Sequence, residues 1–441
     1  MIFLELTGVL LLIRVLFLKV LPWRFLSVST INLIGVLVFI GLGIEYDRFS
    51  EPQKSVAMVA VFYLFLLVGE LFGKKSGVNK ASLLDFGSRL VKNPGVRVFF
   101  FFLFVLYIVY PLLMILVSGG SLIEKGVTTW TQSGEAARTQ RLIDRVYNAE
   151  GKGALDSVLT QLVGFWYLSV GVVFIRSKRI AYLGLALNII TQLVTSQGGR
   201  SGTMLAIGLL LLVWMLTSRR RLFMTFAVLL IVSVSGMFLM DVLLKGRQGL
   251  TSQETLSERV ENTLRQDFAY GGLGLNFAMN ARPATLEVGL NYLSRMAVLP
   301  VPRLLWPAKP TLDPNVEMTE AYRGLPFNLI GSVLLFTPLG EGIFYFGFWG
   351  LLLIPFLYGL TVSLLEKVYS SSPAFSGLLA QVYLWAFLGM RHTYWNLFSA
   401  LLVLNFLLII FLWFGLKGFP KIVRRAVSKE RDEILQRRGA S

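Results

Sequence analysis

Apolar residues fill this chain in runs of about twenty, and polar residues come in short bursts between them. An α-helix rises about 1.5 Å per residue, so about 20 apolar residues cross the ~30 Å hydrocarbon core of a bilayer. The runs lie near 3–22, 26–46, 55–73, 97–118, 155–175, 180–197, 202–217, 222–244, 341–365, 374–392 and 397–416. The pattern predicts an all-α polytopic membrane protein with about eleven transmembrane helices, or twelve if one is missed or broken. Residues 1–441 read as a single integral membrane domain. One long polar interruption, 245–340, is rich in Arg, Gly and Pro and has no counterpart in the first half. That asymmetry argues against a transporter, since many transporters carry two related halves. The apolar, Pro-bounded stretch 326–340 is too short to span and reads as a re-entrant or interfacial segment.

The short connections give the orientation. Lys74, Lys75, Lys80, Arg89, Lys92 and Arg97 face only Asp85 in the 74–97 connection. Arg176 to Arg179, Arg219 to Arg221 and the basic tail 417–441 fall on the same side, which the positive-inside rule makes cytoplasmic. The loops 47–54, 119–154, 198–201, 245–340 and 391–396 then face the other compartment. The long loop exceeds the ~60-residue limit within which basic residues set orientation. An odd number of spans places the N-terminus outside. The first run lacks a basic leader region and a small-residue cleavage site, so it reads as a retained helix.

Composition sharpens this. Hydrophobic residues make up 55%, charged residues 15%, and mean hydropathy is +0.67; a soluble domain carries about 25% charged residues. Without cysteine there is no disulfide and no thiolate metal site. A single histidine excludes a multi-His metal centre. The net charge of +17 suggests a nucleic-acid partner until its placement is considered: the basic residues sit between apolar spans, so none is expected.

Cations collected on one membrane face point to an anionic ligand. Arg200 sits in Gly198-Gly199-Arg200-Ser201-Gly202, just before a helix start. Its guanidinium fork beside free N–H groups suits a phosphate, although a tight turn with a snorkelling arginine has the same sequence. The long loop adds Arg303, Lys309 and Arg323, with Trp306 inside the proline-rich stretch 300–310. Trp306 suits a sugar face or the interface, and the stretch also reads as a segment resting on headgroups. Arg259 and Arg265 read as solvated residues of a surface helix over 257–268.

Two residues are candidate bases. Glu341 follows the Thr337-Pro338-Leu339-Gly340 turn at the mouth of the ninth run, where an acid is costly unless paired or wet. It reads as a general base, an arginine partner, or an acid favoured by the helix dipole. Arg391 and His392 end the tenth run on the same face, and histidine is well tuned for proton transfer near neutral pH. Glu341 is the favoured base, since the arginine-bearing loop leads into it. Asp313, Glu317 and Glu320 match no recognised metal spacing. Glu70 and Asp241, at or inside spans, are functional candidates by the cost of burying them, while Glu5, Arg14 and Glu45 carry no clear reading.

The many spans, the late large loop, Leu305-Trp306-Pro307-Ala308-Lys309-Pro310, and Thr337-Pro338-Leu339-Gly340-Glu341 followed by Phe346-Gly347 resemble the Wzy-type oligosaccharide repeat unit polymerases. Gly199-Arg200-Ser201 is similar to a Gly-x-Arg element of that family. The resemblance implies a GT-C-like membrane glycosyltransferase of the bacterial inner membrane, with its active site facing the periplasm. It implies undecaprenyl-diphosphate-linked oligosaccharide as substrate, membrane lipids around it, flippase and chain-length regulator proteins as partners, and no cofactor or metal. Arg200, Arg303, Lys309, Arg323, Arg391 and Trp306 would bind substrate, and Glu341 or His392 would take the acceptor proton. An O-antigen ligase acting on lipid A core shares the donor chemistry. A lipid-linked glycan flippase is the rival from another class, and a structural membrane subunit would need no cations gathered on one face.

Overall fold

A computed structural model describes residues 2–22, 27–46, 52–117, 162–195, 200–217, 275, 277–278, 285–299, 301, 306, 314–326 and 336–413. The eighth apolar run, loop 119–154, most of 245–284, Arg303, Lys309 and the tail 417–441 lie outside them. Every regular element among the described residues is helical. The order is α1 (Ile2–Leu16), α2 (Val28–Gly35), a π-helical turn (Val36–Gly41), α3 (Leu42–Tyr46), α4 (Pro52–Lys75), α5 (Lys80–Lys92) and α6 (Pro94–Val117). Then come α7 (Val163–Arg176), α8 (Lys178–Thr195), α9 (Arg200–Thr217), α10 (Leu286–Val298), α11 (Pro314–Arg323) and α12 (Pro338–Phe346). A 3-10 turn (Gly347–Trp349), α13 (Gly350–Tyr369), α14 (Ser376–Leu388), α15 (Tyr394–Phe398), a second π turn (Ser399–Val403) and α16 (Phe406–Trp413) complete it.

Among the described residues, three stretches are long and apolar enough to cross a membrane: Val28–Glu45, Gln53–Lys75 and Pro338–Tyr369. Two bent pairs, Lys80–Lys92 with Pro94–Val109 at 83° and Tyr394–Val403 with Phe406–Trp413 at 46°, bring the number to five if each counts as one span. The first pair is better read as two elements with different jobs. The sequence predicts a plain connection at 74–97, and the structure forms α5 there. Asn79 caps it by accepting from the Ala81 and Ser82 amides, and Asn93-Pro94 ends it. Leu83, Phe86, Gly87 and Leu90 are buried at helical spacing, while Lys80, Lys92 and the Asp85–Arg89 pair stay wet.

Nor is Pro338–Tyr369 one straight rod. A Cβ on Gly342 would lie 2.6 Å from the Gly350 carbonyl oxygen. Eight residues apart in a straight helix are about 12 Å apart, so the chain folds back between them. Gly347 makes the turn at φ 58°, a left-handed-side conformation that residues with a Cβ rarely adopt. The 20 residues of α13 rise about 30 Å, which is long enough to cross without α12. α12 is left as a short apolar helix beside its start.

α13 packs most extensively on α4, and small residues make this possible. A Cβ on Gly69 would collide with the Phe356 carbonyl oxygen, and one on Gly359 with that of Leu66. Gly73 lies equally close to Leu360 and Leu364. Pairings advance together along both chains, so α4 and α13 run parallel. Polar pins secure one end. Lys367 donates to the Lys74 carbonyl at 2.7 Å and to that of Ser76, capping α4. Glu366 accepts from the Val28 amide and the Tyr383 hydroxyl, both at 3.0 Å, capping α2. Glu70, fully buried, accepts from Ser29 and from Asn32 at 2.8 Å.

Gly69→Val is therefore expected to destabilise the protein by about 3 kcal/mol, the upper end of overpacking costs. Gly8→Val, where no atom lies within 4 Å of an added Cβ, is the control. Thermal unfolding in detergent reads both, and equal midpoints would remove the close crossing from the fold's requirements.

Candidate functional site

Glu341 organises the face where α12 begins. Thr337 caps α12, its hydroxyl accepting from the Gly340 amide at 3.3 Å, and Pro338 takes the first turn, where a missing N–H costs nothing. This aims Glu341 inward with no exposed surface. A buried carboxylate must be paired or hydrogen-bonded. One oxygen accepts from the Tyr292 hydroxyl at 2.7 Å and the Trp395 amide at 3.2 Å, and the other from the Tyr394 amide. Those two amides open α15, where they would otherwise lack partners. Thr393, at the ordinary capping position, makes no cap bond. Its hydroxyl accepts instead from the Asn315 side-chain amide at 3.4 Å. The cap of α15 is thus supplied by a different helix.

A second carboxylate continues the network. Glu317 on α11 accepts from Arg295 of α10 and from the Tyr345 hydroxyl of α12, both at 3.0 Å. The Tyr292 and Tyr345 rings lie 4.5 Å apart, linking the two halves. Burial, and then the Glu341 carboxylate, push the Tyr292 phenol well above its ordinary value, so it stays a donor. The Asn315 side-chain carbonyl accepts from the Phe336 amide at 3.5 Å, tying α11 to the approach to α12. Gly289 lets α10 close on Phe346, whose ring would lie 2.8 Å from an added Cβ.

His392 follows α14 and precedes α15. Its ring sits 6.3 Å from that of Trp385. Burial and the neighbouring Arg391 guanidinium pull its pKa down to about 4. At neutral pH the imidazole is uncharged and able to accept a proton. Glu341 binds the amide two residues further on, so one carboxylate fixes the segment that carries His392.

The structure ties Glu341 to the chain just after Arg391 and His392, through the Tyr394 and Trp395 amides. Arg323 ends α11 on the surface, and Trp306 is 40% exposed. Arg200 opens α9 rather than sitting in the turn before it, and its side chain is not described. Arg303 and Lys309 lie outside the described residues. Sequence reasoning missed Tyr292, Asn315, Tyr345 and Thr393. The signal for Tyr292 was present: Thr285, Glu287 and Arg295 bound a helical period with Gly289, Tyr292 and Met296 on one face. No protein-family model, curated protein or solved structure matches this chain.

Tyr292→Phe removes one bond to a buried carboxylate and should cost about 1.5–3 kcal/mol, the range for hydrogen bonds to charged groups. No change in unfolding would take Tyr292 out of the network. The histidine gives a second test, since it is alone in the chain. Its folded pKa is depressed from about 6.5. The unfolded chain therefore binds the proton first, and stability contributed by the neutral ring falls as pH drops from 6.5 towards 4. The imidazole NMR signals should be unshifted between pH 8 and pH 5.5, and a midpoint near 6.5 would overturn this.

Proposed function

We propose that this chain polymerises undecaprenyl-diphosphate-linked oligosaccharide repeat units at the periplasmic face of the bacterial inner membrane. The observation that carries this reading is the seating of the polar segment on the spanning helices. α10 and α11 dock through Glu317 and Glu341 onto α12 and the start of α15, which follows Arg391 and His392 directly in the chain. The parallel run of α4 and α13 accords with counting them as the third and ninth spans of eleven. α6, α8 and α9, at 24, 18 and 18 residues, are long enough to supply further spans of a GT-C-like bundle.

In the proposed reaction the glycan on its lipid diphosphate is the donor and a repeat unit on a second lipid is the acceptor. The acceptor hydroxyl oxygen forms a bond to the anomeric carbon. The bond from that carbon to the phosphate oxygen breaks with inversion, and the lipid diphosphate departs with the electron pair. Arg200, Arg303, Lys309, Arg323 and Arg391 hold the diphosphate and stabilise its growing charge, and Trp306 offers a face to a sugar. His392 takes the hydroxyl proton. A bound diphosphate offsets the charge of Arg391 and raises the proton affinity of the ring. Glu341 would have to release a phenol and two amides to act as base, so its geometry favours holding the His392 segment in place.

Deleting the protein in its bacterial source and running a surface-glycan gel separates the readings. A single-repeat product supports polymerisation. Lipid-linked polymer with none transferred to lipid A core means a ligase, and loss of all external glycan means a flippase. In a purified assay with a defined lipid-diphosphate glycan, His392→Ala should lower turnover about 100- to 10,000-fold, the usual loss for a general base. Full turnover by His392→Ala beside an inactive, folded Glu341→Gln would return the role to Glu341. For orientation, Tyr322→Cys should react with an impermeant thiol reagent in intact cells and Ser82→Cys should not. The chain has no other cysteine and both positions are exposed, so the reverse pattern would overturn the periplasmic site.

A further inference from the structure

We infer that α10 lies in the surface of the bilayer, wedged between the protein and the lipid headgroup–acyl boundary on the face that carries Glu341. This goes beyond the proposed reaction and does not depend on it. The helix has three distinct sides. Gly289, Tyr292 and Met296 are buried against the protein. Glu287, Asn291 and Ser294 are exposed and polar. Leu286, Leu290 and Ala297, with the partly covered Leu293 between them, form a second apolar stripe at helical spacing. Leu286 is 80% exposed and Leu290 56%. Among the described residues nothing covers this stripe, although it adjoins the buried face directly.

The height of α10 identifies what covers it. Gly289 touches Phe346 and the Tyr345 carbonyl, at the end of α12. Phe348 and Trp349 follow immediately, 69% and 71% exposed, and α13 begins one residue later. The 20 residues of α13 match the hydrocarbon thickness, so its first residue marks the edge of the core. Aromatic pairs at that level form the interfacial belt of membrane proteins. α10 sits beside that pair. Its 13 residues, about 20 Å, are too few to cross and enough to lie flat. A helix there with one apolar side on protein, a second uncovered and a third polar fits a corner among protein, lipid and water. Lipid is the occupant this geometry selects.

The cysteine-free chain allows a direct test. Single cysteines at Leu286, Leu290 and Asn291 are spin-labelled in the full-length protein in phosphatidylcholine liposomes. Power saturation then compares accessibility to oxygen, which concentrates in lipid, with that to a water-soluble nickel chelate. All three positions are exposed, so labelling leaves the packing intact. Labels at 286 and 290 should be oxygen-accessible and nickel-poor, with the reverse at 291. Nickel accessibility at 286 and 290 equal to that at 291 would place the stripe in water. Low accessibility to both reagents would mean that another protein surface covers it. Either result overturns the assignment.

Discussion

The face where α12 starts depends on one buried carboxylate whose oxygens are held by hydrogen bonds from distant segments. Glu341 has no exposed surface, yet its oxygens accept a phenol and two main-chain amides. Leaving such a group unsatisfied costs several kcal/mol, so its partners are held as firmly as it is. Those partners lie on α10 and at the start of α15, far apart in sequence. The same bonds satisfy the orphan amides of α15, which its own threonine does not cap. One interaction therefore closes the loop region onto the spanning helices and sets the position of His392.

The opposite end of the α4–α13 pair obeys the same rule with different residues. Away from water every polar backbone group needs an internal partner. Lys367 supplies it to the last carbonyls of α4 and Glu366 to the first amide of α2. Between these polar ends, glycines bring two backbones into contact where side chains would hold them apart. Helix ends are thus finished by side chains from neighbouring helices, which makes their relative positions hard to change.

These constraints bear on function through rigidity. A site that handles a lipid-borne anion must hold cations and a proton acceptor at fixed positions next to the bilayer. Arg391 and His392 are carried by a short stretch between α14 and α15, and such connections are ordinarily the most variable parts of a fold. Here Glu341 grips its far end, and Tyr358 bonds the Trp385 and Ala386 carbonyls near its start at 3.2 and 2.9 Å. The proposed chemistry uses a segment restrained from both sides.

Much of the helical framework was legible in the chain alone. Run length and apolar content decide whether a segment can enter a bilayer, and both are local properties. Thr337-Pro338, read as a turn before a run starting at 341, is in fact the cap and first turn of α12. The same local reasoning overlooked α5, whose apolar residues are spaced for one face of a helix rather than gathered in a run. It also read 341–365 as one continuous span, since hydropathy does not register a turn at Gly347. Glu341 and His392 stood out as costly residues at helix ends, but their relation could not be read there. Which donors fill a buried carboxylate is settled by distant segments. Tyr292 lies 49 residues before Glu341, and the Tyr394 amide 53 after it. A main-chain amide carries no signature in sequence at all. Tertiary packing alone made Glu341 a helix cap, because the lowest-energy place for its charge was an unpaired helix end that only the folded chain brings within reach.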